Sequence, residues 1–244
     1  MTSPIAAVAA AAALLLTPAA SGLRPASALT VPTGYTAELY ASGLERPTAL
    51  AFGPGGMLYA TQENGEVVAV GRGSGQPRVL ARGFRTPLGL AWSGDTLFVS
   101  AQGSLHRLVV RGTRVVSRRT ILRRLPFGRH QQDTVVLGRD GRLYLGSGST
   151  CDACREKDRR SGAILSLRPD GSDLQVVARG LRNPFGLAIH PGTGRLYISD
   201  NGRDDLGESE PAETVLLFRR GADYGWPDCW ASWPSGAYRA PATA

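Results

Sequence analysis

Four features of the chain could do chemistry: one histidine, one Arg-Asn pair, one acidic run and one C-x-x-C. His130 lies in the segment RHQQD at the start of an expected strand. A neutral imidazole at a strand start can take a proton from a substrate hydroxyl; the competing reading is a satisfied structural group. Arg182-Asn183 stands before a proline in GLRNPFGLAIH. A guanidinium offers carboxylates a planar fork and an amide both donates and accepts, so the pair suits a planar, carboxylate-bearing ligand. Arginine recurs in comparable turns at Arg46 and Arg85, which makes turn stabilisation the alternative. The run DNGRDDLGESEPAE gathers Asp200, Asp204, Asp205, Glu208, Glu210 and Glu213. Hard oxygen donors at this density can hold calcium, although the spacing is not that of an EF-hand, and a solvated acidic loop is the other reading.

Cys151 and Cys154 lie in a polar loop and Cys229 stands apart. In a reducing compartment C-x-x-C would suggest redox chemistry or half a zinc site; in an exported chain a local disulfide that clips the loop is the expectation. No G-x-S-x-G elbow and no Gly-rich phosphate loop occurs, which argues against a serine hydrolase and a nicotinamide enzyme.

The elements that must position these groups repeat. GLERPTALAFGPGGMLYAT, GFRTPLGLAWSGDTLFVS and GLRNPFGLAIHPGTGRLYISD share one plan, with a weaker copy in RHQQDTVVLGRDGRLYLGSGS. Each has a turn, a short apolar strand, a Gly/Asp/Pro hairpin and a second strand anchored by leucine. The anchors Leu58, Leu97, Leu143 and Leu196 are spaced 39, 46 and 53 residues apart. Further strands are expected at 66–70, 105–110, 162–171 and 214–221, and helical periodicity is absent after the N-terminal apolar run. Units of about 40 to 50 residues built from four short strands predict an all-β fold, a β-propeller, with about four blades visible. Trp92, Phe52 and the Tyr or Phe of each anchor strand are expected in the core. A fifth unit is expected to open at YGWPDC.

The apolar run ending in Ala-Ser-Ala reads as a secretory leader, 1–28, ahead of a propeller domain, 29–244. It is shorter than the about 20 apolar residues that a stable membrane span requires. The formal charge of +8 comes almost wholly from arginine, Lys157 being the single lysine. Those arginines scatter through turns, as at Arg72, Arg78, Arg111, Arg139 and Arg195, instead of forming a stripe interleaved with aromatics. No nucleic-acid partner is therefore expected.

From His130 to Cys229 the order of motifs, the C-x-x-C loop and the ADYGWPDC turn resemble the soluble sugar dehydrogenases of the sorbosone dehydrogenase type, which depend on pyrroloquinoline quinone (PQQ). The resemblance implies a six-bladed propeller with quinone and calcium on one face, oxidising the anomeric hydroxyl or aldehyde of a sugar. It assigns the general base to His130 and quinone contacts to Arg182 and Asn183. It assigns the carbonyls of Gly202 and Arg203 to the active-site calcium, and Glu213 and Tyr224 to a second calcium. Relatives often carry proline where Arg203 stands, and in some an acidic residue where Arg129 stands. A soluble electron acceptor and a homodimer as one assembly are also expected, and the leader implies a secreted, periplasmic or cell-envelope location. Later blades that add basic quinone contacts, and a partner for Cys229, are expected beyond residue 244, so that the sequence reads as part of a longer protein. Two other readings use the same blades: a non-catalytic propeller scaffold, and a calcium-dependent lactonase-type propeller.

Overall fold

A computed structural model describes residues 24–26, 29–73, 76–207, 210, 212–231 and 238–239. The expected leader, 1–28, lies outside them except for 24–26, as does Glu208. The chain divides into two compact units, Met1–Tyr40 and Ala41–Ala244. In the first, β1 (Arg24–Pro25) pairs antiparallel with β2 (Glu38–Leu39).

The second unit is built of antiparallel sheets in strict chain order. β3 (Pro47–Phe52), β4 (Leu58–Gln62), β5 (Glu66–Val70) and β6 (Arg78–Ala81) form the first blade. β7 (Gly89–Ser93), β8 (Thr96–Ala101), β9 (Ser104–Arg111) and β10 (Arg114–Leu122) form the second. β11 (Gln132–Leu137), β12 (Leu143–Ser147), β13 (Ala163–Leu167) and β14 (Gln175–Arg179) form the third. β15 (Asn183–Ile189), β16 (Leu196–Asn201) and β17 (Thr214–Leu217) form the fourth, and β18 (Trp230–Ala231) pairs with β19 (Tyr238–Arg239). A short 3-10 turn, Pro54–Gly56, is the one helical element among the described residues. No helix among them is long and apolar enough to cross a membrane. The first strands β3, β7, β11 and β15 touch one another in sequence, as propeller strands do around a shared axis.

Alternation along each strand explains why the blades stack. Leu97 and Val99 of β8 point back into a core shared with Tyr59, Val67 and Ala69 of the first blade. Phe98, between them, points forward into the core of Leu143, Leu145 and Leu165. Tyr144 then points forward again, toward Leu187, Leu196 and Ile198. Side chains of successive strand residues face opposite sides, so a strand between two blades presents apolar residues to both. The anchor leucines Leu97, Leu143 and Leu196 are the residues that enter the preceding blade.

Phe52 departs from the core expected of it. It is 63 % exposed, and Leu50 on the same face is 59 % exposed, while the intervening Ala51 packs toward the second blade. The outer face of β3 meets no further blade among the described residues, so the alternation that buries Ala51 leaves Phe52 largely exposed.

Candidate active site

The segment 128–131 is zipped onto 148–150 ahead of β11. Arg129 N–H donates to the Thr150 carbonyl at 2.9 Å, His130 N–H to that of Ser149 at 3.0 Å, and Gly148 N–H to that of Gln131 at 2.7 Å. A Cβ at Gly148 would stand 2.4 Å from the His130 Cβ and 3.0 Å from Asn183 Oδ1. Glycine is therefore required for this histidine and this asparagine to approach one strand end together.

The three histidines sort by what their ring nitrogens do. In His106 both are taken, by Ser104 Oγ at 2.9 Å and Thr120 Oγ1 at 3.1 Å, with the ring edge-on to Phe84. His190 Nδ1 accepts the N–H groups of Gly192 and Thr193 in its hairpin. His130 commits only Nδ1, 2.9 Å from Ser149 Oγ, and among the described residues its Nε2 has no partner and is not sealed from solvent. Burial, then the positive charges of Arg182 and Arg129, push the His130 pKa down to about 4. The ring is neutral at neutral pH, with one nitrogen tied and one free.

At the start of β15, Arg182 is only 3 % exposed. Its Nε donates to Asp152 Oδ1 at 2.9 Å, its Nη2 to the same oxygen at 2.5 Å and to Asp204 Oδ2 at 2.7 Å, and its Nη1 to the Asn201 carbonyl at 3.3 Å. Asn183 pairs with Asn201 across β15 and β16, so the two ends of this hairpin adjoin. Asp200 secures them: Oδ2 accepts Arg182 N–H at 3.2 Å and Oδ1 accepts Asn183 N–H at 2.8 Å. Asn183 Oδ1 itself is sealed from solvent without a partner. Asp133, 2 % exposed, also has an unpartnered Oδ2, and burial followed by the charge of Asp200 pushes its pKa up to about 8.

The acidic run divides its labour. Asp204 also receives Arg129 Nη2 at 2.5 Å, and Asp205 pairs with Arg203 at 2.6 Å. Glu213 Oε2 accepts Gly202 N–H at 3.2 Å. No hydrogen bond reaches the carbonyl oxygens of Gly202 and Arg203 among the described residues. Both residues, with Asp200, Arg182 and Tyr224, line a cavity of about 30 Å³. Tyr224 turns its hydroxyl away, donating to the Leu217 carbonyl at 2.8 Å. Two adjacent free carbonyls beside carboxylates are the donor set a hard cation takes, so these residues fit calcium. For a quinone carrying carboxylates the fit rests on Asn183, whose Nδ2 donor has no partner among the described residues and is not sealed from solvent, and on a guanidinium of Arg182 whose fork now holds Asp152 and Asp204. Among the described residues one cluster of three metal-ligating side chains converges, Cys151, Cys154 and Glu156, and its two sulfurs are bonded to each other. The converging carboxylates that a lactonase metal would use are not found there.

Ser149, Asp152, Asp133 and the capping role of Asp200 were not legible as site features. Asp200 had a signal. It stands four residues past its anchor Leu196, as Gln62 does past Leu58, and Gln62 Oε1 likewise accepts the N–H of Glu45 at the start of its blade. Ser149 and Asp152 had none, because the site residues they meet, His130 and Arg182, lie in other segments.

The family description Glucose / Sorbosone dehydrogenase matches residues 44–237. Among curated proteins, an aldose sugar dehydrogenase of Escherichia coli is 26 % identical, over 80 % of this chain and 62 % of its own length. The chain spans about three fifths of the length of the first curated relatives it matches, 57 % and 62 %. Among solved structures, the PQQ-bound aldose sugar dehydrogenase of Streptomyces coelicolor is 25 % identical with a TM-score of 0.67, over 82 % of this chain and 70 % of that one. A calcium structure of a Trichoderma reesei carbohydrate-active enzyme of family AA12, at 20 % identity and a TM-score of 0.70, covers 82 % of this chain and 60 % of that one and shares the fold.

Proposed function

The chain belongs to the glucose/sorbosone dehydrogenase family, and on that footing we propose that it is an oxidoreductase that oxidises the anomeric hydroxyl or aldehyde of a sugar with pyrroloquinoline quinone and calcium. The observation that carries this reading is the free Nε2 of a neutral, half-buried His130 beside Arg182 and Asn183.

His130 Nε2 takes the proton of the sugar hydroxyl. With a pKa of about 4 the imidazole is unprotonated at any neutral pH, yet weakly basic. The guanidiniums of Arg129 and Arg182 that depress it also favour negative charge on a substrate oxygen nearby, which offsets that weakness. Asn183 and Arg182 would hold the quinone, and a ligand carboxylate would compete with Asp204, the exposed member of the Arg182 pairs. The carbonyls of Gly202 and Arg203 would hold the active-site calcium, and Glu213 with Tyr224 a second one. The bound quinone supplies a two-electron acceptor and calcium a Lewis acid.

The same reading takes the mature protein as secreted, periplasmic or held at the cell envelope, delivered by the leader in 1–28. It passes electrons to a soluble acceptor, and a homodimer is its expected assembly. Purified protein titrated with the quinone in the presence of calcium should bind it saturably at micromolar concentration, then reduce a dye when an aldose is added. A protein that binds no quinone there is a propeller scaffold instead.

A further inference from the structure

The His130 ring nitrogen that faces away from solvent meets Ser149, and Ser149 is itself committed. Ser149 is fully buried, and its Oγ lies 2.6 Å from the Cys151 carbonyl oxygen and 2.9 Å from His130 Nδ1. A hydroxyl has one proton to give. The carbonyl can only accept, and it holds the shorter contact, so the proton goes to Cys151. The serine oxygen is then an acceptor, and the group facing it must be Nδ1–H. We propose that Ser149 is the positioning residue of the site: relaying Cys151 C=O to His130, it fixes the imidazole as the Nδ1–H tautomer and leaves Nε2 as the proton acceptor.

This goes against the ring's own preference, since a free neutral histidine side chain favours the proton on Nε2. Without Ser149 the bare Nε2 required of a base would be the minority form. The acceptor at the end of the relay is also held in place. Cys151 is bonded to Cys154, with Cα atoms 6.0 Å apart. Glu156 closes the loop back on Thr150, accepting its N–H at 2.6 Å and its hydroxyl at 2.7 Å. Asp152, in the same loop, grips Arg182. One disulfide-closed loop thus orients both the histidine and the arginine.

The proposal rests on His130 being the proton acceptor of the proposed reaction, but its test requires neither sugar nor quinone. Long-range ¹H–¹⁵N correlation spectra of the ¹⁵N-labelled protein at neutral pH report which ring nitrogen carries the proton. The expected result for His130 is a protonated Nδ1 and a bare Nε2, changing in Ser149→Ala to a majority of Nε2–H while His106 keeps its pattern. A wild-type His130 protonated on Nε2, or a Ser149→Ala spectrum unchanged at His130, overturns the proposal. Absence of turnover together with the expected tautomer would count against the dehydrogenase reading alone.

Discussion

At the scale of single residues, the site is a set of unequal environments imposed on similar groups. His130 and His106 are both pushed down to about 4 by burial first, yet only His130 keeps a free nitrogen. The base form exists above the folded pKa, so the acid limb of kcat/KM should fall near pH 4 instead of near the ordinary histidine value of about 6.5. A pH-rate profile breaking near 6.5 would mean that His130 is solvated and free of its two arginines. Asp133 titrates the other way. Its carboxyl moves from an ordinary 3.8 up to about 8, so between those values the folded protein holds a proton that the unfolded chain has released. Its contribution to stability is thus present in acid and lost as pH rises toward 8. Asp133→Asn should flatten that decline, stabilising the protein at pH 8 by about 1–3 kcal/mol and changing little at pH 4. Urea midpoints at the two pH values test it, and an equal effect at both would show the side chain to be ionised throughout. The sequence singles out His130 because its sister repeats have nothing like it. Asp133 is not singled out, because nothing in one sequence tells that its strand starts beside Asp200.

Among elements, the hairpin of β15 and β16 and the loop closed by Cys151 and Cys154 bring the chemistry together, while the rest of each blade is packing. The anchor leucines could be read directly from their repeat, since a strand between two blades must present apolar residues on both faces. Leu143, fully buried where the second and third blades meet, should cost about 2–5 kcal/mol on replacement by alanine. Leu50, 59 % exposed on β3, should cost no more than about 0.5 kcal/mol. Equal costs in denaturant unfolding would contradict the blade register. What the repeat left open was which face of a strand meets a neighbour, and that is why Phe52 looked like core and is largely exposed. Ion pairing was equally hidden: Arg129 meets Asp204 from 75 residues away, a distance that no local pattern reports.

For the whole molecule, part of the arginine content is tied up in ion pairs while the formal charge of +8 remains. Arg129, Arg142, Arg160, Arg182 and Arg203 each face a carboxylate. The four sheets place the starts of the third and fourth blades side by side, and there the neutral imidazole comes together with Asn183 at Gly148, while Arg182 reaches the cavity that Gly202 and Arg203 line. The central claim is that this convergence is a quinone-dependent sugar oxidation site with His130 as its proton acceptor. The most direct test is dye reduction with an aldose by wild-type and His130→Ala protein, compared at matched quinone occupancy in calcium. The account predicts that the variant binds quinone as the wild type does and loses turnover by about 10²–10⁴-fold. Turnover within about tenfold of wild type at equal occupancy would contradict it, because a general base contributes more than that.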